Sequence, residues 1–245
     1  MRDESTIIEG RNAVLEALRA DKSFDRIFLL SQNKDGPLQT IYREAQKRKI
    51  QVNFVKKERL DELSSDRKHQ GVVAYVSAFE YATVDDILAN AEKKNEPPFI
   101  IILDDIEDPH NLGAVIRTAN AAGAHGVIIP KNNAAGLTTS AVKASAGAVS
   151  YTPVARVTNI SRTMEELKEQ GIWFIGADMN GEDYRKLDLK GPIGLVIGNE
   201  GKGLSPLVKK NCDFLASLPM KGEIDSLNAS VAAGILAYEI MRSRG

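Results

Sequence analysis

Residues 193–204 read IGLVIGNEGKGL. Gly198, Gly201 and Gly203 surround a single acid, Glu200. Glycine lets a backbone turn sharply and approach a ligand closely. The five residues before Gly198 are apolar and mostly branched, which predicts a buried strand. In open α/β sheets ligands bind beyond the carboxyl ends of strands, so this loop is the first candidate for an active site. Read alone, it equally fits an ordinary Gly-rich turn with a solvated glutamate. Two nucleotide-binding readings fail on spacing. A Walker loop needs Ser or Thr after its lysine, and Lys202 is followed by Gly203. The glycines run G-x-x-G-x-G, not the G-x-G-x-x-G of a dinucleotide fingerprint.

Composition narrows the chemistry. The chain has 245 residues, enough for one large domain or two small ones, and 43% are hydrophobic, enough for a proper core. Its 32 basic and 33 acidic residues leave a formal charge of −1, so any basic, RNA-binding surface must be local. Such local groups are 47–49, 56–57 and 67–69, flanking predicted strands or loops, though interspersed acids also fit a solvated surface. The single cysteine, Cys212, excludes an internal disulfide and reads as a buried filler. Three scattered histidines give no metal spacing; His110 and His125 read as structural. No run approaches the ~20 apolar residues of a membrane helix, and the N-terminus is charged. A cytoplasmic protein is expected.

The elements that must hold the loop follow from periodicity. In the first section, 12–20, 37–49 and 58–63 predict helices, and 26–30, 51–55 and 71–76 predict strands, together a three-layer α/β module. Residues 81–98 read as a linker containing a short helix at 84–94 and ending in Pro97–Pro98. Beyond it, strands are expected at 99–103, 127–129, 154–157, 172–177, 193–197 and 213–218. Helices are expected at 111–122, 138–150, 160–170, 206–211 and 226–242, the last with Leu227, Val231, Ile235 and Tyr238 along one face. This alternation implies a mostly parallel sheet covered on both faces.

Three stretches carry a family resemblance. They are N-L-G-x-x-I-R-T-A at 111–119, I-G-N-E-G-x-G-L at 197–204, and P-M followed by S-L-N-A at 219–229. Together they resemble the SpoU (TrmH) branch of the SPOUT RNA 2′-O-methyltransferases. The first section, through EGRNAVLEAL at 9–18 and HQG at 69–71, resembles the family's small L30e-like substrate-binding domain. The resemblance implies three regions: a substrate domain at 1–80, a linker at 81–98 and a catalytic SPOUT domain at 99–245. It implies an α/β fold with a C-terminal trefoil knot, a homodimer, and S-adenosylmethionine as cofactor. It also implies an RNA substrate, ribosomal favoured over transfer RNA, with a guanosine ribose of large-subunit RNA the nearest match.

The resemblance assigns residues by motif. Arg117 matches the catalytic arginine, with Asn111, Glu200, Ser226 and Asn228 as the polar set around it. Gly198, Leu218 and Leu227 match cofactor positions, with Ala177 and Met220 as further candidates; no metal is expected. Guanidinium stays protonated, so Arg117 suits holding a phosphate and a developing alkoxide better than removing a proton. Structural readings stand beside these: Arg117 as a helix-surface residue, Asn111 and Ser226 as helix N-caps, Asn228 as a first-turn residue. A non-catalytic RNA-binding protein is the rival function, and a transfer-RNA methyltransferase the nearer alternative.

Overall fold

A computed structural model describes residues 6–31, 36–64, 66–223 and 226–245. The N-terminal residues 1–5 and residues 224–225 of the third motif lie outside them. The chain forms two compact units: residues up to Glu80 with Gly136–Ser140, and Tyr81–Ala135 with Ala141–Gly245.

The first unit is built on a four-stranded mixed sheet ordered β1-β4-β2-β3. Its strands are β1 (Thr6–Glu9), β2 (Phe24–Leu30), β3 (Val52–Val55) and β4 (Val72–Val76). β2 and β3 run parallel, while β4 lies antiparallel to both β1 and β2. Alternate residues Ile27, Leu29, Val72, Ala74 and Val76 turn to one face. There they pack with Val14 and Leu18 of α1 (Arg11–Arg19) and Leu38 and Ile41 of α2 (Gly36–Lys47). α3 (Lys57–Leu63) buries Leu60. β1 was not expected. Its two isoleucines are a weak signal on their own, and the strand exists because β4 offers a free edge to pair with.

The second unit carries a six-stranded, all-parallel sheet ordered β10-β8-β9-β5-β6-β7. The strands are β5 (Phe99–Leu103), β6 (Gly126–Pro130), β7 (Val154–Val157), β8 (Trp173–Asp183), β9 (Ile193–Ile197) and β10 (Phe214–Ser217). β5 and β9 are buried at every position, as central strands covered on both faces must be. The helices are α4 (Val84–Lys94), α5 (Pro109–Ala121), α6 (Thr139–Ala144), α7 (Ile160–Lys168), α8 (Pro206–Asn211) and α9 (Ala229–Arg244). The predicted helix at 138–150 is α6 plus a separate single turn at Ala148–Ser150, split by Gly147 at φ +88°. Gly113 of α5 is the contact that brings α6 close: a β-carbon there would lie 2.4 Å from the Ala141 carbonyl oxygen.

Residues 81–98 correct the linker reading. Ala82 pairs with Ala155 beside β7, and Ile87 of α4 is buried in the same core as Ile100, Ile128 and Phe174. The prolines do precede a strand, but the helix before them is part of this unit's core.

α9 is a second finding. Its core side is Ala229, Ala233, Leu236, Ala237 and Ile240. Val231, Ile235 and Tyr238, the apolar face seen in the sequence, are 49%, 38% and 48% exposed. No helix among the described residues is long and apolar enough to cross a membrane.

Candidate active site

The strand order places the site before any residue is considered. From β5 the chain winds outward through β6 and β7, then returns to the other side of β5 as β9 and β8. The reversal point lies between β5 and β9, where a crevice opens at the carboxyl ends of the strands. The Gly loop leaves the end of β9 at this point, and the loop into α5 leaves the end of β5.

Asn199 shapes the Gly loop. Its Oδ1 accepts from the Gly201 and Lys202 N–H groups at 3.0 and 3.2 Å, and its Nδ2 donates to the Asp105 carbonyl at 3.0 Å. Its backbone exchanges two hydrogen bonds with Gly203. The glycines differ in what they do. A β-carbon on Gly198 would lie 2.3 Å from the Gly203 carbonyl carbon, so only glycine fits there. Gly203 adopts φ +68°. Gly201 faces open space, with nothing nearer than 3.7 Å. Below the loop, buried Asp104 accepts from Ser205 N–H at 2.7 Å and ties β5 to the entry of α8.

Glu200 points back from the loop to two helices. Its Oε1 accepts from Asn111 Nδ2 at 2.6 Å, Asn228 Nδ2 at 2.5 Å and the Ala229 N–H at 3.4 Å. Asn228 Nδ2 also donates to Asn111 Oδ1 at 3.0 Å. A carboxylate accepting three N–H groups has its charge compensated without a counter-ion. Three residues separated by up to 117 positions thus close one network, and all three were singled out from sequence.

Their structural roles differ from the capping readings. Asp108 caps α5, through its carboxylate and His110 N–H, with Pro109 in the first turn; Asn111 is inside the helix and buried. Asn228, not Ser226, caps α9: its Oδ1 accepts from Ser230 and Val231 N–H. Ser226 precedes the helix and is exposed.

The Gly loop borders a cleft of about 420 Å³, within the ~300–1,000 Å³ common for small-ligand sites. All five predicted cofactor positions, Ala177, Gly198, Leu218, Met220 and Leu227, line it, as do Glu200 and Ser226. Its far wall comes from an interruption of β8. Gly176 pairs with Leu215 of β10, but the next pair is Glu182 with Ala216, so residues 177–181 leave the ladder. Gly181 lets the strand rejoin, since a β-carbon there would lie 2.5 Å from Leu215 backbone. Met179 and Asn180 of this bulge and Lys209 of α8 also line the cleft and were missed in the sequence. Lys209 pairs with Asp178 at 2.6 Å. Burial opposes ionisation of Asp178, yet the Lys209 hydrogen bond and charge, with Asn180, hold its pKa below the ordinary carboxylate value.

Arg117 stands apart from the cleft lining. It is exposed on α5, with no ion-pair or hydrogen-bond partner among the described residues. Cys212 is partly buried beside Gly176, and burial pushes its thiol up to about 12, so it is not a nucleophile at neutral pH. His125 is fully buried between Phe99 N–H and Glu96, a structural position. No cluster of three or more His, Cys, Asp or Glu among the described residues is placed to hold a metal.

Residues 98–238 match the SpoU rRNA methylase family model, and residues 7–82 match a model for RNA 2′-O ribose methyltransferase substrate binding. The chain is 50% identical over 245 residues to YacO of Bacillus subtilis, spanning 100% of this chain and 98% of that one; its name places it in the TrmH family of tRNA/rRNA methyltransferases. A Staphylococcus saprophyticus relative of the same family is 45% identical over 242 residues, covering 98% and 97% of the two chains. Among solved structures, the SpoU methyltransferase AviRb from Streptomyces viridochromogenes, in complex with AdoMet, superposes with a TM-score of 0.61. It is 26% identical and covers 96% of this chain and 89% of its own. An AdoMet-bound rRNA methyltransferase from Sinorhizobium meliloti gives 0.59 at 27% identity, covering 96% and 86%. With both models matched in order and these relatives aligned end to end, the chain belongs to the SpoU (TrmH) family of RNA methyltransferases.

Proposed function

We propose that this protein transfers a methyl group from S-adenosylmethionine to a ribose 2′-hydroxyl of RNA, with large-subunit ribosomal RNA the substrate and a guanosine the target. The observation that carries the reading is the Glu200–Asn111–Asn228 network, which ties the wall of the cleft to the helix bearing Arg117.

The cleft suits the cofactor. Gly198 lets the loop backbone fold tightly against Gly203 at the edge of the cleft, and main-chain groups of this loop would serve the polar edges of the cofactor. Its sides are Ala177, Leu218, Met220 and Leu227, apolar surfaces for the base. When bound, S-adenosylmethionine supplies an electrophilic methyl on a sulfonium. Everything else falls to this chain. Glu200 holds Asn111 and Asn228 in one geometry and leaves its second oxygen for the nucleotide. Ser226 lies on the same wall and offers a hydroxyl to it. Arg117, always protonated, holds the neighbouring phosphate and stabilises the alkoxide character of the 2′-oxygen as the new C–O bond forms and the C–S bond breaks. The hydroxyl proton leaves to a phosphate oxygen or water. Positioning of this kind supplies roughly 7–11 kcal/mol in favourable intramolecular models.

The homodimer is part of the proposal. A helix apolar all round is a buried one, and α9 is apolar on both sides while only one side meets its own core. A second copy covering Val231, Ile235 and Tyr238 satisfies that face. The family's trefoil knot would fall in the segments around 197–204 and 219–229. The protein works in the cytoplasm, with its RNA.

The test is mapping of ribose methylation in ribosomal and transfer RNA from a strain lacking the protein, with purified protein and labelled cofactor supplied back. Restoration of one 2′-O-methyl guanosine in large-subunit RNA is expected. Restoration only in transfer RNA moves the substrate; no transfer to either RNA overturns the reading.

A further inference from the structure

The first unit carries a cleft of its own, of about 560 Å³, lined by Arg11, Lys57, Arg67, Lys68, Gln70 and the apolar Leu30, with His69 and Gly71 at its base. Four side chains are cationic and no carboxylate lines it. We infer that this cleft, rather than the unit's other basic groups, is where the RNA substrate docks, seating a phosphodiester segment of a single-stranded or looped region.

Two of the other basic side chains are already paired. Lys47 pairs with Glu44 at 2.8 Å and Arg48 with Asp21 at 2.5 Å. Lys57 and Arg67 have no ion-pair partner among the described residues, and Lys68 has only Asp66 at 3.8 Å. All three are exposed, so ordering them on a phosphate costs no protein ion pair of consequence.

The base of the cleft is prebuilt. His69 is buried, its Nδ1 accepting from Gly71 N–H at 2.9 Å and its Nε2 facing Asp61 at 3.0 Å. Its ring is therefore a strut and not a phosphate ligand, which corrects its inclusion among the basic groups. Arg11 is partly a strut too: its Nε donates to the Gln70 carbonyl at 3.0 Å and its N–H to Gln70 Oε1 at 3.3 Å. Arg67 and Gln70 take φ of 61° and 51° and Gly71 takes 86°, so the segment folds back on itself and presents successive side chains at one opening. With its Oε1 engaged, Gln70 keeps an amide NH₂ to offer a base edge, and Leu30 gives a base face apolar contact. Cations for phosphate, with one amide and one apolar surface for a base, suit unpaired RNA more than a regular duplex, whose base edges are withdrawn.

This inference rests on the proposed methyltransferase function, and the experiment separates the two. Full-length wild type, the triple variant Lys57→Gln/Arg67→Gln/Lys68→Gln, and the control Lys47→Gln/Arg48→Gln, which removes the two paired cations, are compared on transcribed large-subunit ribosomal RNA. RNA affinity is measured across potassium chloride concentrations, and S-adenosylmethionine affinity by calorimetry. Each lost phosphate contact removes about 0.7–0.9 from the salt slope, so the triple variant should flatten it by about 2–3 and raise KM for RNA. The control should match wild type, and cofactor affinity should be equal in all three. A triple variant with the wild-type slope, or a control that flattens equally, overturns the docking cleft even where wild type methylates the RNA. A wild type that binds cofactor and methylates no RNA overturns the function instead.

Discussion

Asn228 uses one amide for two tasks: its Oδ1 caps α9 through Ser230 and Val231 N–H, and its Nδ2 donates to Glu200 Oε1 at 2.5 Å. The start of α9 and the Gly loop are therefore fixed by the same side chain. Substitutions can separate the tasks. Asn228→Ala loses both, and the cap alone costs about 0.5–2 kcal/mol. Asn228→Asp keeps the cap acceptor but turns a donor into a second carboxylate facing Glu200. Thermal stability of Asn228→Asp should stay nearer wild type than that of Asn228→Ala, while methyl transfer falls about tenfold or more in both, the scale of a hydrogen bond to a charged group. Full activity in Asn228→Asp would show that the donation to Glu200 is dispensable.

The glycines of the loop make a paired test. A methyl on Gly198 collides with Gly203 backbone, which cannot rotate away as a side chain could. Gly198→Ala should cost about 1–3 kcal/mol of stability and most of the cofactor affinity. Gly201→Ala meets open space and should stay within about 0.5 kcal/mol of wild type. Equal behaviour of the two in calorimetry would mean that the close approach at Gly198 does not shape the cleft.

The sequence was most legible where local signals and tertiary demands agree. The bounds of β5, β7, β9, α4 and α8 agree residue for residue; β5 and β9 are wholly apolar, glycine-tolerant runs buried throughout, and α4 is a capped amphipathic helix, so local signal and packing agree there. Motifs single out Asn111, Glu200 and Asn228 without saying that they touch, as they do in the structure. What stayed hidden depends on partners distant in sequence. β1 needs the edge of β4, and the bulge of β8 needs Leu215 and Ala216 to pass beside Gly181. Asn111 looked like a cap because a polar residue beside an apolar run fits one, but Asp108–Pro109 starts the helix earlier. Asn199 was passed over although it sits inside the motif, since its role is to hold backbone and nothing about its spacing reveals that.

Arg117 should be needed for chemistry and not for cofactor binding, because it lies outside the cleft lining and has no structural partner among the described residues. Arg117→Ala should lose methyl transfer with stability within about 0.5 kcal/mol of wild type, as for an exposed side chain, and with unchanged S-adenosylmethionine affinity. Arg117→Lys should also fail largely, since lysine lacks the planar two-pronged donor. Near-normal turnover of Arg117→Ala removes it from the mechanism.

His125 should make stability fall in mild acid. Its Nδ1 accepts from Phe99 N–H, so the neutral ring carries its proton on Nε2, facing Glu96. Burial depresses its pKa below the ordinary 6.5, assisted by the charges of Lys94 and Arg244 and opposed by Glu96. Above that value both folded and unfolded states are neutral. As pH falls through it the unfolded chain takes up the proton first, and stability is lost down to the folded pKa. The melting temperature of wild type should drop more steeply between about pH 7 and about pH 5 than that of His125→Asn. Parallel curves for the two proteins would place the acid sensitivity elsewhere.

The exposed side of α9 decides whether one chain is enough. Val231, Ile235 and Tyr238 follow one another at helical spacing, and Met241 one turn on is 39% exposed. α5, which carries Arg117, packs along the same helix. Leaving this face in water forgoes about 25 cal/mol for each Å² of apolar surface that a second copy would cover. A charge placed at its centre should therefore be unfavourable only in a dimer. Ile235→Glu should be near neutral for folding of a single chain, since the side chain points away from Leu236 and Ala237 and their core. In light scattering, wild type should have the mass of two chains and Ile235→Glu that of one. Methyl transfer should fall with the dimer, and S-adenosylmethionine affinity should show whether the cleft is complete in one chain. A wild type that is monomeric at working concentration, or an Ile235→Glu protein that remains dimeric, removes α9 as the interface.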